Sequence, residues 1–111
     1  MSIKTSSLIT PRLITLGLNH KTTPLELRER LAFTAQALPE ALRSLYKLKD
    51  IEEAAIISTC NRTELYCVVS NNADQSIIDW FSQYHGFESS AIESHLYIHH
   101  HKETIHHAMS V

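Results

Sequence analysis

The stretch Ala54-Ala55-Ile56-Ile57-Ser58-Thr59-Cys60-Asn61-Arg62-Thr63-Glu64-Leu65-Tyr66-Cys67-Val68-Val69-Ser70 decides how this chain folds. Two runs rich in Ile, Val, Leu and Tyr, Ala54 to Ser58 and Leu65 to Ser70, read as neighbouring strands, because β-branched and aromatic side chains suit a pleated surface. Thr59 to Glu64 form a polar connection between them. Upstream, Leu13 to Leu18 is an apolar run that reads as a buried strand, and Pro24 opens a segment in which Leu27 and Leu31 lie four apart, as on a helix. Leu38, Leu42 and Leu45 place a second helix between Thr34 and Leu48, with Pro39 leaving its start anywhere from Thr34 to Leu38. Downstream, Asp74 is a candidate cap for a helix presenting Ile77, Phe81 and Tyr84 on one face and ending at Gly86. Ser90 with Glu93 suggests a capping box, Leu96 to Ile98 a last strand, and Thr104 to Val111 a helix with Ile105, Ala108 and Met109 on one face.

Strand, helices, two strands, helices, strand, helix is the order of an α+β sandwich, a small sheet with helices packed on one face. The 111 residues suffice for one domain, expected over residues 12–111 after a polar tail at 1–11. A chain that ends inside a helical pattern is expected to be C-terminally truncated. Hydrophobic residues at 43% and charged residues at 20% fit an ordinary globular protein, and a formal net charge of -2 provides no global basic field for nucleic acid. Two cysteines without an apolar leader argue for a reducing, cytoplasmic setting. No apolar run reaches the roughly 20 residues of a membrane-spanning helix, so no membrane partner is expected.

Chemistry concentrates at Ser58-Thr59-Cys60-Asn61-Arg62, where two strands leave the sheet. A free cysteine is more often a small buried apolar residue, but the polar neighbours of Cys60 and the cation Arg62 make it a plausible thiolate nucleophile. Cys67, inside an apolar strand, reads as buried and without a role. Arg62 could grip a carboxylate with its planar fork or be a solvated edge charge. Five of the eight histidines fall in His99-His100-His101 and His106-His107. They lack an accompanying Cys-x-x-Cys or His-Glu-x-x-His pattern, so no metal site is expected, although a haem- or metal-sensing module remains the alternative to an enzyme. An RNA-binding reading lacks a basic-aromatic sheet motif. His107 lies beside the apolar stripe of the last helix, where it could border a pocket or be a half-exposed surface residue.

Gly17-Leu18-Asn19-His20-Lys21-Thr22-Thr23-Pro24 with Leu27-Arg28-Glu29-Arg30, then Ser58-Thr59-Cys60-Asn61-Arg62-Thr63-Glu64-Leu65-Tyr66, then Leu96-Tyr97-Ile98-His99 with His107, resemble in order three motifs of the glutamyl-tRNA reductase family. The resemblance implies a catalytic N-terminal domain of ferredoxin-like α+β type, followed in the family by an NADPH-binding Rossmann domain and a dimerisation domain. It implies Cys60 as nucleophile, His107 as a residue assisting the reaction, and Thr59, Asn61 and Arg62 as substrate-binding residues, with Arg62 on a substrate carboxylate. The implied substrate is glutamyl-tRNA(Glu), which Cys60 converts to a thioester that the full enzyme reduces with NADPH to glutamate-1-semialdehyde for tetrapyrrole synthesis. NADPH would be bound by a domain outside this chain. Glutamate-1-semialdehyde aminomutase is a further candidate partner, and a homodimer is expected only of the full-length protein.

Overall fold

The computed structural model describes residues 11–101. Four strands, β1 (Arg12–Asn19), β2 (Ile51–Ser58), β3 (Arg62–Val69) and β4 (Tyr97–His101), form one antiparallel sheet in the order β2-β3-β1-β4. Helices α1 (Leu25–Arg30) and α2 (Leu38–Tyr46) connect β1 to β2; α3 (Asp74–Tyr84), α4 (Ser89–Ile92) and a 3-10 turn (Glu93–His95) connect β3 to β4. This is the α+β sandwich expected, and the strand order is the ferredoxin-like one.

Strand alternation explains the two faces. Ile14, Leu16 and Leu18 of β1 and Leu65, Cys67 and Val69 of β3 join Ala41 and Leu45 of α2 and Ile77, Ile78 and Phe81 of α3 in the buried core. Leu38, Ala41 and Leu45 recur at helical spacing, so α2 presents one apolar stripe to the sheet. At full burial a side chain such as Leu45 contributes about 1.5–3 kcal/mol. The other face of the sheet has no helix among the described residues and carries Arg62, Glu64, Tyr66, Tyr97, His99 and His101.

Several boundaries differ from those read in the sequence. The second helix starts at Leu38, within the range read, with Pro39 in its first turn, where a missing N–H costs nothing, and ends at Tyr46 rather than Leu48. Asp74 is not the cap of α3: Ala73 occupies that position, and Asn72 Oδ1 accepts from the Asp74 N–H at 3.2 Å. Ser90 and Glu93 form no capping box, since α4 begins at Ser89 with Glu88 in the cap position, two residues earlier, and the Ser89 hydroxyl bonds Asp79 at 2.6 Å. Gly86 does end α3, at φ 80°, where a side chain would be strained. β4 runs on to His101 because β1 offers partners as far as Leu13. The expected helix from Thr104 to Val111 lies outside the described residues, and so does His107. No helix among the described residues is long and apolar enough to cross a membrane.

Candidate active site

β2 ends at Ser58 and β3 begins at Arg62, so residues 59–61 make a tighter turn than the polar connection suggested. Thr59 builds it. Its N–H donates to the Arg62 carbonyl at 2.8 Å, while its hydroxyl oxygen accepts from the Asn61 and Arg62 amides, each at 3.2 Å. A hydroxyl that folds the backbone this way is an ST-type turn, which leaves the intervening Cys60 thiol turned outward. Cys60 is exposed and Cys67 is buried. Burial pushes the Cys67 thiol up to about 12, so it is protonated and inaccessible at neutral pH.

Beneath the turn, Ser58 Oγ accepts from the Phe33 amide at 2.9 Å and lies 3.1 Å from Thr63 Oγ1. These contacts join the strand ends to the segment after α1. Together Arg28, Glu29, Ala32, Phe33, Ser58, Thr59 and Cys60 line a groove of about 300 Å³. His85 links one lining residue to α3, with one ring nitrogen 3.1 Å from the Phe81 carbonyl and the other 3.2 Å from that of Ala32. Arg28 donates to the Thr23 carbonyl at 2.9 Å and, more weakly, to the Cys60 carbonyl at 3.4 Å. The sequence marks Arg28 only as part of a motif; its contact with the turn depends on a fold that brings residues 32 apart together.

The segment from Asn19 to Thr23 is equally self-supporting. Asn19 Oδ1 accepts from the amides of Lys21 and Thr22 at 2.8 and 3.2 Å, and Thr22 Oγ1 accepts from the Asn19 amide at 3.0 Å. Thr23 donates to the His95 carbonyl at 3.2 Å, tying the loop to the approach to β4.

Arg62 is half-exposed and points along the uncovered face, where its Nε stands 3.8 Å from Glu64. Glu64 accepts hydrogen bonds from the Tyr66 and Tyr97 hydroxyls, both at 2.6 Å. Burial works to raise its carboxyl, but the two tyrosine bonds, with the Arg62 and His99 charges, outweigh that and hold it below its ordinary value. Gly17 makes room for this group: a Cβ there would stand 2.7 Å from Glu64 Cγ and 2.9 Å from the Tyr97 hydroxyl. Glu64 and the two tyrosines escape a sequence reading because only strand register assembles them.

The histidine triplet is divided by the strand it occupies. His101 meets Thr15 at 2.9 Å on the uncovered face, whereas His100 meets Asp74 at 2.9 Å on the other side. Among the described residues no group of three His, Cys, Asp or Glu side chains could hold a metal ion.

The family described as "Glutamyl-tRNAGlu reductase, N-terminal domain" matches residues 16–111. Glutamyl-tRNA reductases from Neisseria gonorrhoeae and Methylococcus capsulatus are 48% and 46% identical to this chain, over 90% and 89% of its length and 23% and 24% of theirs. That from Pseudoalteromonas translucida is 41% identical over 89% of this chain and 24% of its own. The chain thus spans about a quarter of the length of these curated relatives. The solved glutamyl-tRNA reductase of Methanopyrus kandleri shares the fold, with a TM-score of 0.56 at 18% identity, over 86% of this chain and 20% of that one. With the family match covering nearly all the described residues, the chain belongs to the glutamyl-tRNA reductase N-terminal domain family.

Proposed function

We propose that this domain carries out the acyl-transfer half of glutamyl-tRNA reduction, with Cys60 as the acyl acceptor. The observation that carries the reading is the exposed Cys60 thiol at a braced turn beside a groove, in a chain of this family. The Cys60 thiolate attacks the carbonyl carbon of the ester joining glutamate to tRNA. A carbon–sulfur bond forms, the bond to the ribose oxygen breaks, and that oxygen leaves with the electron pair and takes a proton. The products are a glutamyl thioester on Cys60 and free tRNA.

Thr59 holds the turn through its hydroxyl, and Asn61 stands exposed beside the thiol. Arg62, braced by Glu64, offers its fork to a substrate carboxylate, orienting the substrate without itself making bonds. His107 is the further residue that the family resemblance brings to the reaction. Splitting the reaction through a covalent intermediate replaces one hard step with two easier ones.

Reduction of the thioester to glutamate-1-semialdehyde, the entry to tetrapyrrole synthesis, would draw a hydride from NADPH. The described residues do not fit that cofactor. A dinucleotide's phosphates need a glycine-rich strand-to-helix turn; Gly17 lies within β1 against Glu64, and Gly86 caps a helix. NADPH is therefore assigned to sequence outside this chain; a homodimer is expected only of the full-length protein, and glutamate-1-semialdehyde aminomutase is a further candidate partner. A cytoplasmic location fits a thiol that must stay reduced.

The test is glutamyl-tRNA-dependent chemistry in a protein of the relatives' full length that carries this domain. With NADPH withheld, tRNA should be deacylated faster than by buffer alone, and Cys60→Ala should remove the difference. Deacylation that persists in the variant would refute the assignment.

A further inference from the structure

We propose that Arg28 is a positioning residue for Cys60, an inference that rests on Cys60 being the acyl acceptor. Two carbonyls that are remote from each other in sequence, those of Thr23 and Cys60, meet at its guanidinium. Arg28 projects from α1, donates from Nη1 to the Thr23 carbonyl at 2.9 Å, and donates from Nε to the Cys60 carbonyl at 3.4 Å. Thr23 is buried and bonded through its hydroxyl to the His95 carbonyl, and one His95 ring nitrogen lies 3.1 Å from the Thr22 carbonyl. The 59–61 turn is therefore anchored, through one planar fork, to a loop that is itself fixed to the approach to β4.

The fork matters because each of its N–H groups has a fixed direction, so two carbonyls can be held at a defined separation. A lysine ammonium carries the same charge but has no such geometry. The guanidinium has five donors and uses two here, so it still presents a full positive charge to the groove that Cys60 lines. Arg62, though nearer in sequence, is turned to Glu64 on the uncovered face. Two consequences follow: Arg28 restrains the turn, and it places a cation in the groove that Cys60 also lines, where the oxygen of an attacked acyl carbonyl gathers negative charge.

Both consequences can be measured on this chain without tRNA or NADPH. In the first experiment Cys60 is alkylated with anionic iodoacetate and with neutral iodoacetamide, and labelling is read by peptide mass spectrometry. Arg28→Gln should lower the iodoacetate-to-iodoacetamide rate ratio by about threefold to tenfold, the effect of one charge at close range in partly screened surroundings. Arg30→Gln removes an equal charge that stacks 4.9 Å over Phe87, and should leave the ratio within about twofold. An unchanged ratio in Arg28→Gln, or an equal fall in Arg30→Gln, would overturn the proposal.

In the second experiment Arg28→Lys keeps the charge and loses the fork. It should retain the reagent ratio while the Asn61 and Arg62 amides exchange with solvent at least about tenfold faster. Exchange at the wild-type rate would overturn the proposal. Protection of Cys67 reports that each variant is folded; should Arg28→Gln unfold, the exchange of Arg28→Lys decides alone. A native protein in which Cys60 resists both reagents would instead count against Cys60 as the acceptor, which keeps the two readings separable.

Discussion

Cys60 and Cys67 stand seven residues apart in one hairpin, yet the chain treats the same side chain in opposite ways. At the turn, backbone amides are occupied by the Thr59 hydroxyl, a carbonyl is met at 3.4 Å by Arg28, and the thiol faces solvent. In the middle of β3 the thiol lies at 1% exposure among Ile14, Leu65 and Val69, with its pKa pushed up to about 12 by burial. Accessibility here is a property of position: a strand interior uses sulfur for packing, and a braced turn leaves it exposed.

The largest expected effect separates the two sites by function. Cys60→Ser in a protein of full length should lower acyl transfer at least about a thousandfold, since a hydroxyl without a dedicated base is a poor nucleophile. Its stability should change by less than about 0.5 kcal/mol, because the site is exposed. Deacylation kinetics with a urea melt check both; a variant that keeps its activity would break the contrast at its root. Next, native alkylation should label Cys60 at least about a hundredfold faster than Cys67, which reacts only when the core opens. Quenched-flow labelling followed by peptide mapping measures this, and equal rates would mean that β3 opens far more readily than its packing implies.

Stability should show the inverse contrast. Cys67→Ser puts a hydroxyl into the core and should cost about 1–3 kcal/mol, read as a lowered urea midpoint. A neutral result would mean that the core around Cys67 admits water. The smallest effect concerns acid. Glu64 titrates below its ordinary value when folded, so its contribution to stability is complete above the unfolded carboxylate pKa and is lost as pH falls through the folded value. Glu64→Gln should therefore flatten the acid side of the stability profile, and an unaltered slope would show that its tyrosine bonds contribute nothing.

Much of the fold could be read directly because its signals are local. Apolar runs rich in β-branched residues marked β1, β2 and β3, and helical spacing marked α2 and α3. The boundaries that shifted were set by partners far away: β4 continues through His101 because β1 lies alongside it. The same distinction applies to the site. Cys60, Thr59, Asn61 and Arg62 are neighbours in sequence and could be picked out together. Arg28 at the turn, and Glu64 between Tyr66 and Tyr97, become visible only once loops and register bring them into contact. The histidine triplet looked like a cluster, and strand alternation sent its members to opposite faces.

Where the acyl group goes decides whether Cys60 is the acceptor. Glutamyl-tRNA bearing isotopically labelled glutamate should be mixed with a protein of full length without NADPH, quenched in acid within seconds to preserve a thioester, digested and mapped by mass spectrometry. Acyl transfer to Cys60 should leave a glutamyl group on the peptide containing Cys60, none on that containing Cys67, and the adduct should be lost on treatment with hydroxylamine. An adduct on any other residue, or turnover of tRNA with Cys60 unmodified throughout, would contradict it.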